Sequence, residues 1–227
     1  MSRQFPHPDN LHDMEDWDDL YRGTTDYFGP HPDPSLERFV DHLDASRTVL
    51  DIGCGQGRNT FFLAHRGFTI EALDPSQVAL DQLATTADGG GTSVRRIHGT
   101  FRDLGEVSRD YGSILVFGLI PVLFRTEISE LVRVIMTHLG DRCVLFVTAF
   151  GTWDPDCTSR PAVGSPIDGG SDRSPRDRGR TYLEPGELAA LFPDLELVHS
   201  WEGLTPEHRH GDGPLERHGR AEAVFRR

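Results

Sequence analysis

From residue 33 to residue 150 the apolar positions switch repeatedly between the spacing of a helix and that of a buried strand. Asp33 and Pro34 open a helix whose apolar face is Leu36, Phe39, Val40 and Leu43, about three turns long. Thr48 to Ile52 is a short β-branched run entering a glycine cluster. Asn59 to Arg66 then reads as a helix closed by Gly67, Phe68 to Leu73 as a strand, and Pro75 to Thr85 as a helix capped by Asp74. Strands follow at Ser93 to His98, Ser113 to Phe117 and Cys143 to Phe150. The last two flank a helix from Glu127 to Leu139 with Ile128, Leu131, Ile135 and Leu139 on one side. Such alternation requires a largely parallel sheet covered on both faces.

Two segments depart from the alternation. The first 32 residues are rich in Asp, Pro and His, yet carry Trp17, Tyr21, Tyr27 and Phe28. A solvated tail rarely invests in four aromatics, so residues 1–32 read either as a lid over the domain formed by 33–227 or as a segment anchored to its core by simple packing. Gly151 to Arg180 holds five glycines and four prolines, the composition of a long flexible loop. Beyond it come a short helix from Pro185 to Phe192, a strand from Leu195 to Trp201 and a last strand from Ala221 to Arg226. The two final strands are joined without a helical crossover and must pair antiparallel. The fold class is α/β: a doubly wound, Rossmann-like sheet of seven strands, mostly parallel with an antiparallel C-terminal strand.

Charge narrows the function. The 23 basic residues are all arginine, against 36 acids, giving a net charge of −13. That surface repels phosphate backbones and anionic membranes, so neither nucleic acid nor a bilayer is an expected partner. The absence of lysine excludes Schiff-base chemistry and a nucleotide-binding P-loop. The longest apolar run, Ser113 to Phe124, is too short to span a bilayer. Cys54, Cys143 and Cys157 form no paired motif, and the expected location is the cytoplasm.

The chemistry concentrates in Val49-Leu50-Asp51-Ile52-Gly53-Cys54-Gly55-Gln56-Gly57-Arg58-Asn59. A strand ends in an acid, three glycines alternate with other residues, and a helix begins, so backbone amides meet a ligand closely. The spacing is GxGxG rather than the GxGxxG of dinucleotide sites. Asp74, 21 residues beyond Gly53, ends the next strand, where a carboxylate accepts both hydroxyls of a ribose. The expected ligand is a nucleoside.

At these residues the chain resembles the class I S-adenosylmethionine-dependent methyltransferases. The continuation Gly57-Arg58-Asn59 and the segment Tyr182-Leu183-Glu184-Pro185-Gly186-Glu187-Leu188 ahead of a His-rich hairpin resemble the tellurite-resistance branch, near the thiopurine methyltransferases. The resemblance implies S-adenosylmethionine (SAM) as cofactor. It implies that Asp51, Gly53, Gly55 and Asn59 hold the amino-acid and ribose side, and that Asp74 takes the ribose hydroxyls. The family often places an Asp after the third strand for the adenine amine. Here Thr100 stands there, so adenine is left to Thr100, Phe101, Asp103 or backbone groups and to the Leu119-Ile120 region.

On the acceptor side, His208, His210 and His218 lie in the connection before the last strand. Histidine titrates near neutrality and can keep an acceptor unprotonated. A metal site is the second functional reading of this segment, since the three could converge on one ion with Asp212 or Glu207 nearby; their spacing matches no zinc signature, and no metal is expected. Tyr21 and its neighbouring aromatics are candidates to close over the sulfonium. The resulting expectation is methyl transfer to a small-molecule acceptor. The alternatives are attack within SAM's own aminobutyl chain, releasing methylthioadenosine, and nucleoside binding without chemistry.

Overall fold

Val49–Ile52 (β1) is buried at all four positions because both faces of the sheet are covered. The period of two sends Leu50 and Ile52 into one core with Ile128, Leu131 and Ile135 of the Arg125–His138 helix (α5). Val49 points into the other, with Leu36, Leu63 and Leu80. The computed structural model describes residues 11–87, 94–105, 109–157, 180–211 and 213–227. The strands after β1 are Ile70–Asp74 (β2), Val94–His98 (β3), Tyr111–Val116 (β4), Leu139–Gly151 (β5), Tyr182–Leu183 (β6), Glu196–Leu204 (β7) and Gly219–Arg226 (β8). They make one sheet in the order β3-β2-β1-β4-β5-β8-β7, with β6 beside the end of β5. β1 to β6 pair parallel, and β8 runs antiparallel between β5 and β7.

The doubly wound sheet matches the sequence expectation, with three differences. An eighth strand is present, the two-residue β6, which is too short to leave a periodic signal. β5 begins at Leu139, directly after α5, through an irregular stretch with Arg142 at φ 55°, and such a bulge hides the alternation until Cys143. The helix expected at residue 34 stops early: Pro34–Phe39 (α2) gives way to a 3-10 turn at Val40–His42.

From residue 11 the N-terminal segment is structured. Leu11–Arg22 (α1) lies against Gln77–Ala87 (α4), where Asp18 Oδ1 accepts from Ser76 Oγ at 2.5 Å and from Val78 N at 3.2 Å. An aspartate supplied from another helix thus satisfies one amide left open at the start of α4, together with the Ser76 hydroxyl. Asp33 caps α2 and also forms a two-oxygen ion pair with Arg220 of β8, both contacts 2.7 Å. Among the described residues no helix is long and apolar enough to cross a membrane.

The strand order reverses between β1 and β4, and in open α/β sheets the crevice beyond such a reversal takes the ligand.

Candidate active site

A cavity of about 790 Å³ opens at that reversal and extends to the β7–β8 connection. Its floor is the glycine loop between β1 and Arg58–Ala64 (α3). Gly53, Gly55 and Gly57 have φ of 74°, 52° and 89°, a conformation that other residues adopt only under strain. The turn is tied down by Gly53 N and Cys54 N donating to Leu73 O at 2.8 and 3.1 Å. A Cβ on Gly53 would stand 3.8 Å from Leu119, so the loops after β1 and β4 meet across the crevice.

Asp74 is 5% exposed and engaged through both oxygens, accepting from Gly55 N at 2.7 Å and from Ser76 N at 2.8 Å. A carboxylate offers about four lone-pair sites, so two remain toward the cavity it lines. The expected capping of α4 by Asp74 is corrected. Ser76 holds the cap position, its Oγ accepting from Ala79 N at 3.1 Å. Burial is the main force that pushes the Asp74 carboxyl up to about 6.

Gly53, Gly55, Asn59, Asp74, Thr100, Phe101 and Leu119 all line this cavity. Asp51 does not: it lies behind the loop, 1% exposed, its Oδ2 accepting from Thr60 Oγ at 2.7 Å. Burial raises its carboxyl to about 6 as well. Asn59 Oδ1 is engaged, accepting from Asp33 N at 2.8 Å. Thr100 caps the following 3-10 turn and shares Asp103 Oδ2 through its amide and hydroxyl, at 2.7 and 3.0 Å.

The aromatic segment walls the cavity. Tyr21 is 4% exposed and sits on the cofactor loop, where a Cβ on Gly55 would be 2.9 Å from its hydroxyl. Burial, then the nearby Asp74, holds this phenol protonated, its pKa well above the ordinary value. From Tyr21 the rings continue to Phe28, 6.5 Å away, and from Phe28 to His210 at 5.2 Å. The backbone is pinned as well: Tyr27 N donates to Gln56 Oε1 at 2.8 Å, Arg58 reaches Phe28 O at 3.1 Å, and Gly211 N donates to Tyr27 O at 2.9 Å.

At the far end His208, His210 and His218 converge. One ring nitrogen of each lies within 4.8 Å of the others. His208 is brought beside His218 by the bridge between His208 and Glu216, while His210 follows one turn later and stacks on both Tyr27 and His218 at 5.8 Å. His218 is 3% exposed, stacked on Phe150 at 4.6 Å, with Nδ1 3.3 Å from Asp154 Oδ2. Burial alone would raise the Asp154 carboxyl, but hydrogen bonds from His218 and from the Asp156 and Gly219 amides hold it below the usual value. Burial pushes His210 down to about 3, followed in effect by the neighbouring His208 and His218, so its imidazole stays neutral.

Sequence reasoning missed Asp154 and the arginines Arg58, Arg180 and Arg220 that line the cavity. Asp154 lies in a glycine-rich turn 64 residues before His218, and no local pattern announces it. Arg58 and Arg220 stand within the motif and the hairpin already singled out, and their adjacency was the available signal.

Residues 49–141 match the family model described as a methyltransferase domain. A ubiquinone biosynthesis O-methyltransferase of Rickettsia felis is 20% identical over 173 residues, 75% of this chain and 69% of the relative. Among solved structures, TehB from Haemophilus influenzae superposes with a TM-score of 0.70 at 16% identity, over 93% of this chain and 67% of that one. The 1,6-didemethyltoxoflavin-N1-methyltransferase of Burkholderia thailandensis, solved with 1,6-didemethyltoxoflavin and S-adenosylhomocysteine, gives 0.64 at 19% identity, over 100% and 93%. The methyltransferase domain at 49–141 and the O-methyltransferase relative support a class I SAM-dependent methyltransferase with S-adenosylmethionine as its cofactor, and the solved structures show the same fold.

The raised Asp74 carboxyl has a thermodynamic consequence in the ligand-free protein. Because its value is 3.8 in a free chain and about 6 when folded, the folded state binds this proton more tightly. The stability it contributes is full below pH 4 and lost as pH rises through 6. Asp74→Asn does not titrate, so relative to wild type the variant gains up to roughly 3 kcal/mol between pH 4 and 7. Urea unfolding at four pH values measures this. A difference that does not change with pH contradicts the burial argument.

Proposed function

We propose that this enzyme methylates a small molecule bound at the histidine end of the cavity. The observation that carries the reading is the continuity of one cavity from Gly55 and Asp74 to the three imidazoles. Its volume lies in the upper part of the roughly 300–1,000 Å³ range of small-molecule sites, which leaves room for a second small ligand beside a nucleoside. A net charge of −13 opposes a nucleic-acid substrate. The free thiols of Cys54 and Cys143 suit a reducing compartment and support a cytoplasmic location.

In this reading the nucleoside lies over the glycine loop. Asp74 uses its two remaining acceptor sites for the ribose hydroxyls, and Phe101 and Leu119 flank the adenine. Thr100 contributes through the turn it caps, and Gly53, Gly55 and Asn59 face the ribose and amino-acid side, with Asp51 fixing the loop from behind. The acceptor's lone pair attacks the methyl carbon in line, the sulfonium takes the electrons of the breaking C–S bond, and the acceptor's proton leaves toward the histidine end. Tyr21, neutral and close to Gly55, packs on the cofactor side of the sulfonium and takes no proton.

Of residues 1–32, residues 1–10 lie outside the described residues, and residues 17–32 act as a lid that walls the cavity through contacts to the glycine loop, α4 and Gly211. Of the long loop 151–180, residues 158–179 lie outside the described residues. Both ends of that loop, Gly151–Cys157 and Arg180, stand near His218.

Three measurements test this reading. Asp74→Ala weakens SAM or S-adenosylhomocysteine binding by on the order of 2 to 4 kcal/mol in calorimetry, since bonds to a charged acceptor contribute about 1.5 to 3 kcal/mol each and do not add. Wild-type affinity in that variant would reduce Asp74 to a structural residue. Amide hydrogen exchange in residues 17–33 slows when cofactor binds, and equal rates with and without cofactor remove the lid. Turnover with a pool of candidate acceptors yields S-adenosylhomocysteine. Methylthioadenosine as the product from SAM alone would instead establish attack within the aminobutyl chain.

A further inference from the structure

The histidine cluster is built in a way that general-base chemistry does not need. One base requires one imidazole. Here three are packed edge to face and face to face, with ring centroids 4.9 to 5.8 Å apart, in a wall of the cavity rather than on the surface. Two of them have a nitrogen that is already committed. His218 Nδ1 faces the buried Asp154 carboxylate at 3.3 Å, closer than the Arg180 guanidinium at 3.5 Å, and a proton on Nδ1 toward Asp154 leaves Nε2 as a lone pair. His208 Nδ1 is 3.0 Å from Pro206 O, and since a carbonyl only accepts, this nitrogen carries the proton and Nε2 is again free. His218 Nε2 and His210 Nδ1 are buried without a hydrogen-bond partner. Buried unsatisfied nitrogens cost stability, and two of them within one cluster point to a ligand that supplies electron-pair acceptance.

We propose that His208, His210 and His218 bind one divalent first-row metal ion, with zinc the best fit, and that its open position faces the acceptor. The proposal rests on the methyltransferase reading only for the identity of what occupies that open position. Three neutral imidazoles with one vacant coordination site form a donor set that zinc accepts in catalytic centres, where the vacant site takes water or substrate. The carboxylate behind His218 and the carbonyl behind His208 are the partners that orient metal-binding imidazoles. Glu216 Oε2, 3.5 Å from His218 Nε2, is the carboxylate nearest to that nitrogen. Arg180 lies on the opposite, Nδ1 side of the same ring at 3.5 Å. Tetrahedral zinc with bonds near 2.0–2.1 Å sets its nitrogens about 3.4 Å apart, so closing the cluster moves each imidazole by on the order of 1 Å.

Such an ion would hold and activate the acceptor. Bound to the acceptor heteroatom, the cation lowers its pKa, the proton passes to solvent, and the acceptor's lone pair remains to attack the methyl carbon. The metal is neither oxidised nor reduced.

The test uses the full chain without a histidine tag, stripped of metal and titrated with Zn²⁺ and with Co²⁺. One equivalent of Zn²⁺ binds per chain by calorimetry, and Co²⁺ gives the intense visible spectrum of a tetrahedral site. His208→Ala, His210→Ala and His218→Ala each lower the affinity at least 100-fold. Asp154→Asn lowers it 10- to 100-fold, as loss of an orienting partner does, and His65→Ala, at an exposed position remote from the cavity, leaves it unchanged. Azide added to the Co²⁺ form shifts the spectrum if a position is open. SAM affinity, measured alongside, reports whether each variant is folded. Absence of stoichiometric metal, or wild-type affinity in the three alanine variants, overturns the site. An unchanged Co²⁺ spectrum with azide, or full turnover in metal-free protein, overturns its role toward the acceptor while leaving methyl transfer intact. Metal binding without any S-adenosylhomocysteine production supports the site and overturns the methyltransfer reading.

Discussion

The hydrogen bond from Gly55 N to the Asp74 carboxylate joins the turn after β1 to the end of β2, and the cofactor half of the cavity is organised around it. It is possible only because Gly55 adopts a positive φ that aims its amide at the neighbouring strand. It also holds a charged group where burial opposes charge. That combination leaves a carboxylate with spare acceptor capacity beside a backbone close enough to touch a ligand. Asp51, whose register partner Ala72 lies two residues before Asp74, has the same elevated carboxyl but directs it at Thr60, so it braces the loop.

The half of the molecule built from neighbours in sequence was legible. β1, the glycine loop, α3, β2 and Asp74 form one continuous βαβ unit in which each element constrains the next through short connections, and the glycine spacing records a backbone conformation directly. Seven of the eight expected cofactor-side residues face one cavity, and Asp51 is the exception because a strand alternates its side chains between faces. Asp74 as the helix cap was misread because Asp-Pro-Ser offers two candidates for that position, and only the three-dimensional turn distinguishes them.

The acceptor half was legible as a composition and not as a geometry. His208, His210 and His218 stood out as a cluster in the chain, but their convergence depends on a hairpin bridge, on a turn pinned to Tyr27, and on an aspartate 64 residues earlier. None of these leaves a periodic trace. α1 was hidden for a related reason: its apolar face is sparse because much of its attachment to α4 is polar, through Asp18 and the Tyr21 carbonyl.

The position of β8 has a consequence for how the site comes into being. This strand is the last in the sequence, yet it lies inside the sheet between β5 and β7, and its Arg220 closes onto Asp33 across 187 residues. Contacts of such separation form late and slowly, because a large loop must be closed before they return any stabilisation. On the ribosome the βαβ units from β1 to β5 can assemble in order of synthesis, but the cavity wall carrying His218 and Arg220 has no partner until the final strand inserts. The glycine-loop half of the cavity and the histidine half are therefore separated in time as well as in space: the nascent chain can build the first well before the second.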